Sequence, residues 1–124
     1  MTNNRPLSPH LTVHKWILSQ IMSILHRATG IGLACGILFI SLWLLSLSFG
    51  SDYYSIFQLF FFNFLGKVIV LVICFCFFFH FIDELRKIFW ALGIGLNTKS
   101  IRITSYIVIF WSIFFTFFIF LFFL

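Results

Sequence analysis

Residues 28–51 read ATGIGLACGILFISLWLLSLSFGS, an unbroken run of 24 positions without Asp, Glu, Lys or Arg. A helix needs roughly 20 apolar residues to cross a hydrocarbon core ~30 Å thick, so this run spans a bilayer with little to spare. Two more runs of the same kind follow. Residues 53–82 carry one charge, Lys67, and residues 103–124 carry none. Lipid offers no hydrogen-bond partners to the backbone, so each run must satisfy its own amides and carbonyls as a helix. A membrane β-strand would alternate polar and apolar residues; 59–65 (LFFFNFL) and 114–124 (FFTFFIFLFFL) do not.

Working outward, the chain reads as an all-α membrane protein. Three transmembrane helices are expected over about 23–48, 56–86 and 103–123, preceded by a short interfacial arm over residues 1–22. Pro6 and Pro9 punctuate the arm, and Trp16 falls at headgroup level. Gly50, Ser51 and Asp52 mark the first turn, with Tyr53 and Tyr54 at the interface. Gly93, Gly95 and Asn97 mark the second. Composition agrees: 62% of residues are hydrophobic and 9% charged, against about 25% charged in a soluble domain. No internal repeat or second domain is visible, so the spans form one bundle. The first run lies too far along the chain, and lacks the cleavage site, to read as a signal peptide.

The net charge of +5 is distributed unevenly. Arg5, Lys15 and Arg27 precede the first span, and Arg86, Lys87, Lys99 and Arg102 lie between the second and third. The 50–55 loop has no cation. The positive-inside rule puts the N-terminus and the second loop on the cytoplasmic or matrix side. Basic residues at membrane boundaries serve lipid headgroups and leave no soluble basic face for nucleic acid. The 21 phenylalanines fit an A+T-rich gene, organellar or from a reduced bacterium.

Ionisable residues inside a bilayer are costly and point to function. His80 follows three phenylalanines, three residues before Asp83. Its imidazole suits a haem iron or a hydrogen bond to a neighbouring helix, and spacing leaves both open. A six-coordinate haem needs a second axial ligand, and no other span offers a histidine at that depth. Ser23 and Arg27, at i and i+4, share a helix face; they can hold a carbonyl oxygen, a haem propionate or a lipid phosphate. His26 lies about 100° away around the helix. Asp83 and Glu84 beside Arg86 and Lys87 read as a self-neutralising boundary cluster or a proton entry. Lys67 snorkels toward the opposite surface. Gly32 and Gly36 offer a close-packing face, within the chain or to a partner. Cys35, Cys74 and Cys76 sit in apolar runs, and the Cys74–Cys76 spacing points two thiols about 200° apart, which suits neither a shared metal nor a disulfide.

Two longer stretches carry a resemblance. Arg5-Pro6-Leu7-Ser8-Pro9-His10-Leu11-Thr12 followed by Ser23-Ile24-Leu25-His26-Arg27-Ala28-Thr29-Gly30 closely resembles the N-terminal signature of the cytochrome b subunit of succinate dehydrogenase. His80, Arg86, Trp90 and Gly93 resemble its second signature, H-x4-[IL]-R-H-x2-W-D-x-G. The resemblance implies a membrane anchor of complex II, non-catalytic by itself. It implies haem b on His80, with the second ligand from a smaller anchor subunit. Ser23 and Arg27 would contribute to the ubiquinone site, and Arg27, His26 and Lys87 would face the haem propionates. The iron–sulfur and flavoprotein subunits would dock on the matrix or cytoplasmic face of a mitochondrial inner or bacterial membrane. The second motif departs from the pattern at Glu84, Lys87 and Ala91, where the family carries Gly, His and Asp. A haem-free structural subunit and a small transporter or proton-channel component are the alternative readings.

Overall fold

The computed structural model describes residues 15–123. The expected arm therefore falls largely outside the described residues, as does the Arg5–Thr12 signature. Four helices follow in order: α1 Leu18–Ser48, α2 Ser51–Phe62, α3 Phe64–Ala91 and α4 Thr98–Phe123. Three of them, α1, α3 and α4, are long and apolar enough to cross a membrane. At 31, 28 and 26 residues they measure about 46, 42 and 39 Å at 1.5 Å per residue.

Helix α1 begins before residue 23 because the lead-in is itself helical. The Gln20 side chain turns back to accept the Ile17 backbone N–H at 3.2 Å. Within the spans, hydroxyls return to carbonyls one turn back. Thr29 donates to Leu25 at 2.8 Å, Ser41 to Ile37 at 2.8 Å and Ser112 to Val108 at 2.6 Å. Each such bond removes a polar group from contact with lipid.

The expected span 56–86 is laid out as two helices. Asn63 is extended (φ −73°, ψ 153°) and breaks the chain between α2 and α3. Its N–H donates to the Phe60 carbonyl at 3.1 Å, and its own carbonyl accepts the Lys67 N–H at 3.1 Å. At Gly66, a Cβ would press into the Phe60 carbonyl and the Phe61 backbone. A glycine is thus required where α2 folds against the start of α3. Hydropathy alone missed this joint because every neighbour is apolar. The α3–α4 link closes differently: Gly93 and Gly95 both hold φ +78°, a backbone region that favours glycine, and Ile94 N–H reaches the Phe89 carbonyl at 3.0 Å.

Helix α3 is central and packs against each of the other three helices. The core is small: Met22 of α1, Phe79 of α3 and Val108 of α4 are its fully buried members, with Phe75, Ile82 and Ile109 against them. The glycine face of α1 is spent inside the chain, for Gly32 abuts Cys76 Sγ and Gly36 abuts Ile73. Elsewhere leucine, isoleucine and phenylalanine side chains point outward along every helix, among them Ile31, Leu38, Phe110 and Phe117. So continuous an apolar surface requires lipid as its solvent, which makes this a multi-pass membrane protein.

Candidate functional site

The start of α1, the end of α3 and the start of α4 meet at one end of the bundle, and the ionisable residues collect there. A cleft of about 250 Å³ opens between α1 and α3. Ser19, Ser23, His26 and Arg27 line it from α1; Asp83, Arg86, Lys87 and Trp90 line it from α3. Ser23 and Arg27 share a face as their i, i+4 spacing requires, with Arg27 Nη2 3.4 Å from Ser23 Oγ.

His26 joins the two helices and brings a second span's histidine to the depth of His80, where the sequence alone predicts none. Its ring stacks on His80 with centroids 4.1 Å apart and planes 17° from parallel. Nδ1 lies 3.0 Å from Asp83 Oδ2 and Nε2 lies 2.9 Å from Glu84 Oε1. Lys87 Nζ is also 2.7 Å from Nε2, so this nitrogen faces a donor and an acceptor at once. With a proton it donates to Glu84; without one it accepts from Lys87.

Asp83 is the hub, although it is only 1% exposed. Oδ1 is 2.5 Å from Arg86 Nη2, and Oδ2 is 3.4 Å from Lys87 Nζ and 3.0 Å from His26 Nδ1. The His26 and Arg86 approaches are charge contacts that lie off the line of a hydrogen bond, since His26 Nδ1 and Asp83 Oδ1 have no aligned partner among the described residues. The charge is nonetheless compensated, as a buried carboxylate requires. Arg86 carries the network to α4: Nη1 donates to Ser105 Oγ at 2.6 Å, and the guanidinium lies 4.4 Å over the Trp90 ring. Ser105 is fully buried.

His80 sits beside this network without joining it. Its Nδ1 is buried and has no hydrogen-bond partner among the described residues. Gly30 lies against the ring, where a Cβ would come within 3.3 Å of Cε1. Among the described residues, donor atoms of His26, His80 and Glu84 gather within 4.8 Å of one another. The Lys87 ammonium stands 2.7 Å from His26 Nε2 and 3.0 Å from Glu84 Oε1, so the cluster carries its own cation.

Ser23, His26, Arg27 and Lys87, singled out in the sequence, therefore line one cleft, and His80 stacks on His26 at its edge. Lys67, in the first turn of α3, stands about 30 Å of helix away from Lys87. The three cysteines are free. The Asp83–Arg86–Ser105 link escaped the sequence reading. Its one trace in the sequence is a row of hydroxyl residues at helical spacing, Ser105, Ser112 and Thr116, on one face of α4.

Residues 1–120 match the model of the succinate dehydrogenase/fumarate reductase transmembrane subunit family. The chain belongs to that family. Its curated relatives include the succinate dehydrogenase cytochrome b556 subunit of Rickettsia bellii, 32% identical over 114 residues, with 92% of this chain and 89% of the relative covered. The cytochrome b560 subunit of Reclinomonas americana is also 32% identical, over 88% of this chain and 79% of its own. The mitochondrial cytochrome b560 subunit of Mus musculus is 32% identical over 87% and 65%. With bacterial and mitochondrial relatives and three apolar spans, this family member is a multi-pass protein of a bacterial cytoplasmic or mitochondrial inner membrane.

Proposed function

We propose that this chain is the haem-carrying membrane anchor of a succinate:quinone oxidoreductase and that its polar cleft receives the quinone head. The observation that carries the reading is the convergence of Ser23, His26 and Arg27 in one cleft of about 250 Å³ at one end of the bundle, with His80 stacked on His26 beside it. A quinone carbonyl accepts hydrogen bonds and gains negative charge on reduction. The Ser23 hydroxyl can donate to it, and the fixed charge of Arg27 favours the reduced oxygen over the neutral ketone. Electrons come from an iron–sulfur subunit docked on the same face, supplied by a flavoprotein that oxidises succinate. Protons for the reduced quinone enter from that side, where Glu84 is half-exposed at the rim. The positive-inside bias makes this the cytoplasmic or matrix side.

Haem b fits His80 on two counts. The imidazole has a buried nitrogen awaiting a partner, and Gly30 leaves its flank free of a side chain. A second, smaller anchor subunit would share in holding the haem. Arg27, His26 and Lys87 are the groups for the propionates, although Lys87 already pairs with Glu84 at 3.0 Å. When bound, the haem supplies a one-electron store beside the quinone.

The test is isolation of the intact assembly in mild detergent. Flavoprotein and iron–sulfur subunits should co-purify, and reduction should give a b-type spectrum. His80→Ala should abolish that spectrum, and Ser23→Ala should raise the quinone KM without slowing succinate oxidation by an artificial dye. An assembly without flavoprotein overturns the reading. One with flavoprotein but no b-type spectrum leaves the anchor and removes the haem, which is the haem-free alternative.

A further inference from the structure

A second opening adjoins the polar cleft. It lies between α3 and α4, has a volume of about 360 Å³ and shares two residues with the first, Arg86 and Trp90. On the α3 surface, Asp83 and Lys87 fall to one side of this pair, and Ile82, Leu85 and Phe89 to the other. The Arg86–Trp90 stack is thus a ridge between a charged cleft and an apolar one. Ile94 and Ile107 complete the apolar side.

Its few polar members are occupied elsewhere. Thr104 donates to the Ile101 carbonyl at 3.1 Å. The Arg86 guanidinium is turned to Asp83 and Ser105 and stacked on the indole, so it offers the groove only its apolar stem. No hydrogen-bonding ligand is served by such a surface, but a hydrocarbon chain is. The volume falls within the roughly 300–1,000 Å³ of small-molecule sites.

We infer that this groove holds the isoprenoid tail of the quinone whose head occupies the polar cleft. The inference rests on the quinone reading proposed above. A quinone is a polar ring joined to a flexible apolar chain, and the two openings match those halves in chemistry and share one wall. A larger apolar groove, about 460 Å³ between α1, α2 and α3, shares no lining residue with the polar cleft. Its nearest α3 residue, Cys74, is nine positions before Asp83, about 14 Å along the helix. The α3–α4 groove is accordingly a specificity element, which makes tail length matter to binding while the ring chemistry stays at Ser23 and Arg27.

The experiment compares two substrates on the intact complex: a long-tailed ubiquinone and the same dimethoxy-methyl-benzoquinone ring without a tail. Ile107→Trp fills the groove at a half-exposed position, away from the polar cleft. It should raise KM for the long-tailed quinone about tenfold, the weight of roughly two methylene groups taken out of contact. KM for the tail-less ring, kcat for both and succinate oxidation by dye should not move. Ser23→Ala should weaken both quinones alike. An equal effect of Ile107→Trp on the two substrates, or none on either, overturns the tail assignment and leaves the head site standing. Failure of Ser23→Ala to affect either quinone removes the head site and the tail assignment with it. Should the tryptophan variant fail to assemble, a quinone bearing a diazirine along its tail is photolysed in the unaltered complex. Label on Phe89, Ile94 or Ile107 supports the assignment; label confined to the outward face of α1 or to other subunits refutes it.

Discussion

Asp83 meets three cationic or titratable side chains in a membrane-embedded helix end, and this arrangement sets what substitutions cost there. The carboxylate is 1% exposed and Arg86 is 9% exposed, so neither can rely on water. Arg86→Met leaves Asp83 with only the His26 contact at 3.0 Å and the longer Lys87 contact at 3.4 Å. Removing one partner of a buried pair costs about 3–5 kcal/mol, and we expect a matching fall in thermal stability in detergent. Asp83→Asn combined with Arg86→Met should recover much of that loss, because a neutral replacement of the whole pair leaves no uncompensated buried charge. A double variant as unstable as Arg86→Met alone would show that the pair is not what holds α3 to its neighbours. The departures from the family signature are also easier to understand at this scale. Glu84 and Lys87 stand where the pattern has Gly and His, and they pair with each other at 3.0 Å and converge on His26. The two charges neutralise one another.

Among the helices, the glycines mark where backbones approach, and they differ in how much a side chain would disturb. At Gly36 a Cβ would meet the branch of the Ile73 side chain, Cγ2 at 2.8 Å and Cγ1 at 3.2 Å, which is stiff but can give by a small shift. At Gly66 it would meet the backbone of Phe60 and Phe61, which cannot. Gly36→Ala should therefore cost about 1–3 kcal/mol, as overpacking does. Gly66→Ala should cost more, by prising α2 from the start of α3. Melting curves of the two variants in the same detergent test the order, and the reverse ranking would refute this account of the joint. Ser105 links α4 to α3 through Arg86. Its loss in Ser105→Ala should lower stability by about 1.5–3 kcal/mol, the range for a hydrogen bond to a charged group.

For the whole molecule, the distribution of charge between the two ends predicts a side for each loop. Lys99 and Arg102 begin α4 at the end that carries the cleft, and Tyr53 opens α2 at the other. Cysteines introduced one at a time by Lys99→Cys and Tyr53→Cys, in a chain with Cys35, Cys74 and Cys76 replaced by alanine and probed with a membrane-impermeant maleimide in sealed vesicles of known orientation, should label from opposite sides. Lys99→Cys should label from the cytoplasmic or matrix side. Labelling of both from one side would contradict three crossings, and labelling with the sides exchanged would place the cleft away from the flavoprotein.

Residues 28–51 and their two counterparts determined by themselves that the chain is helical and membrane-embedded, because lipid tolerates few other backbones and those runs are long enough to cross it. The i, i+4 spacing of Ser23 and Arg27 put them on one face without any tertiary information. Periodicity within a helix says nothing about its rotation against a neighbour, so only the packed bundle decided that His26 stacks on His80 and that Gly32 and Gly36 face α3. The same holds for Ser105, whose partner is 19 residues away in the chain. The break at Asn63 was hidden for another reason: it is a steric matter between two turns of backbone, in a stretch (59–66) where Asn63 is the single polar side chain and the hydropathy stays high.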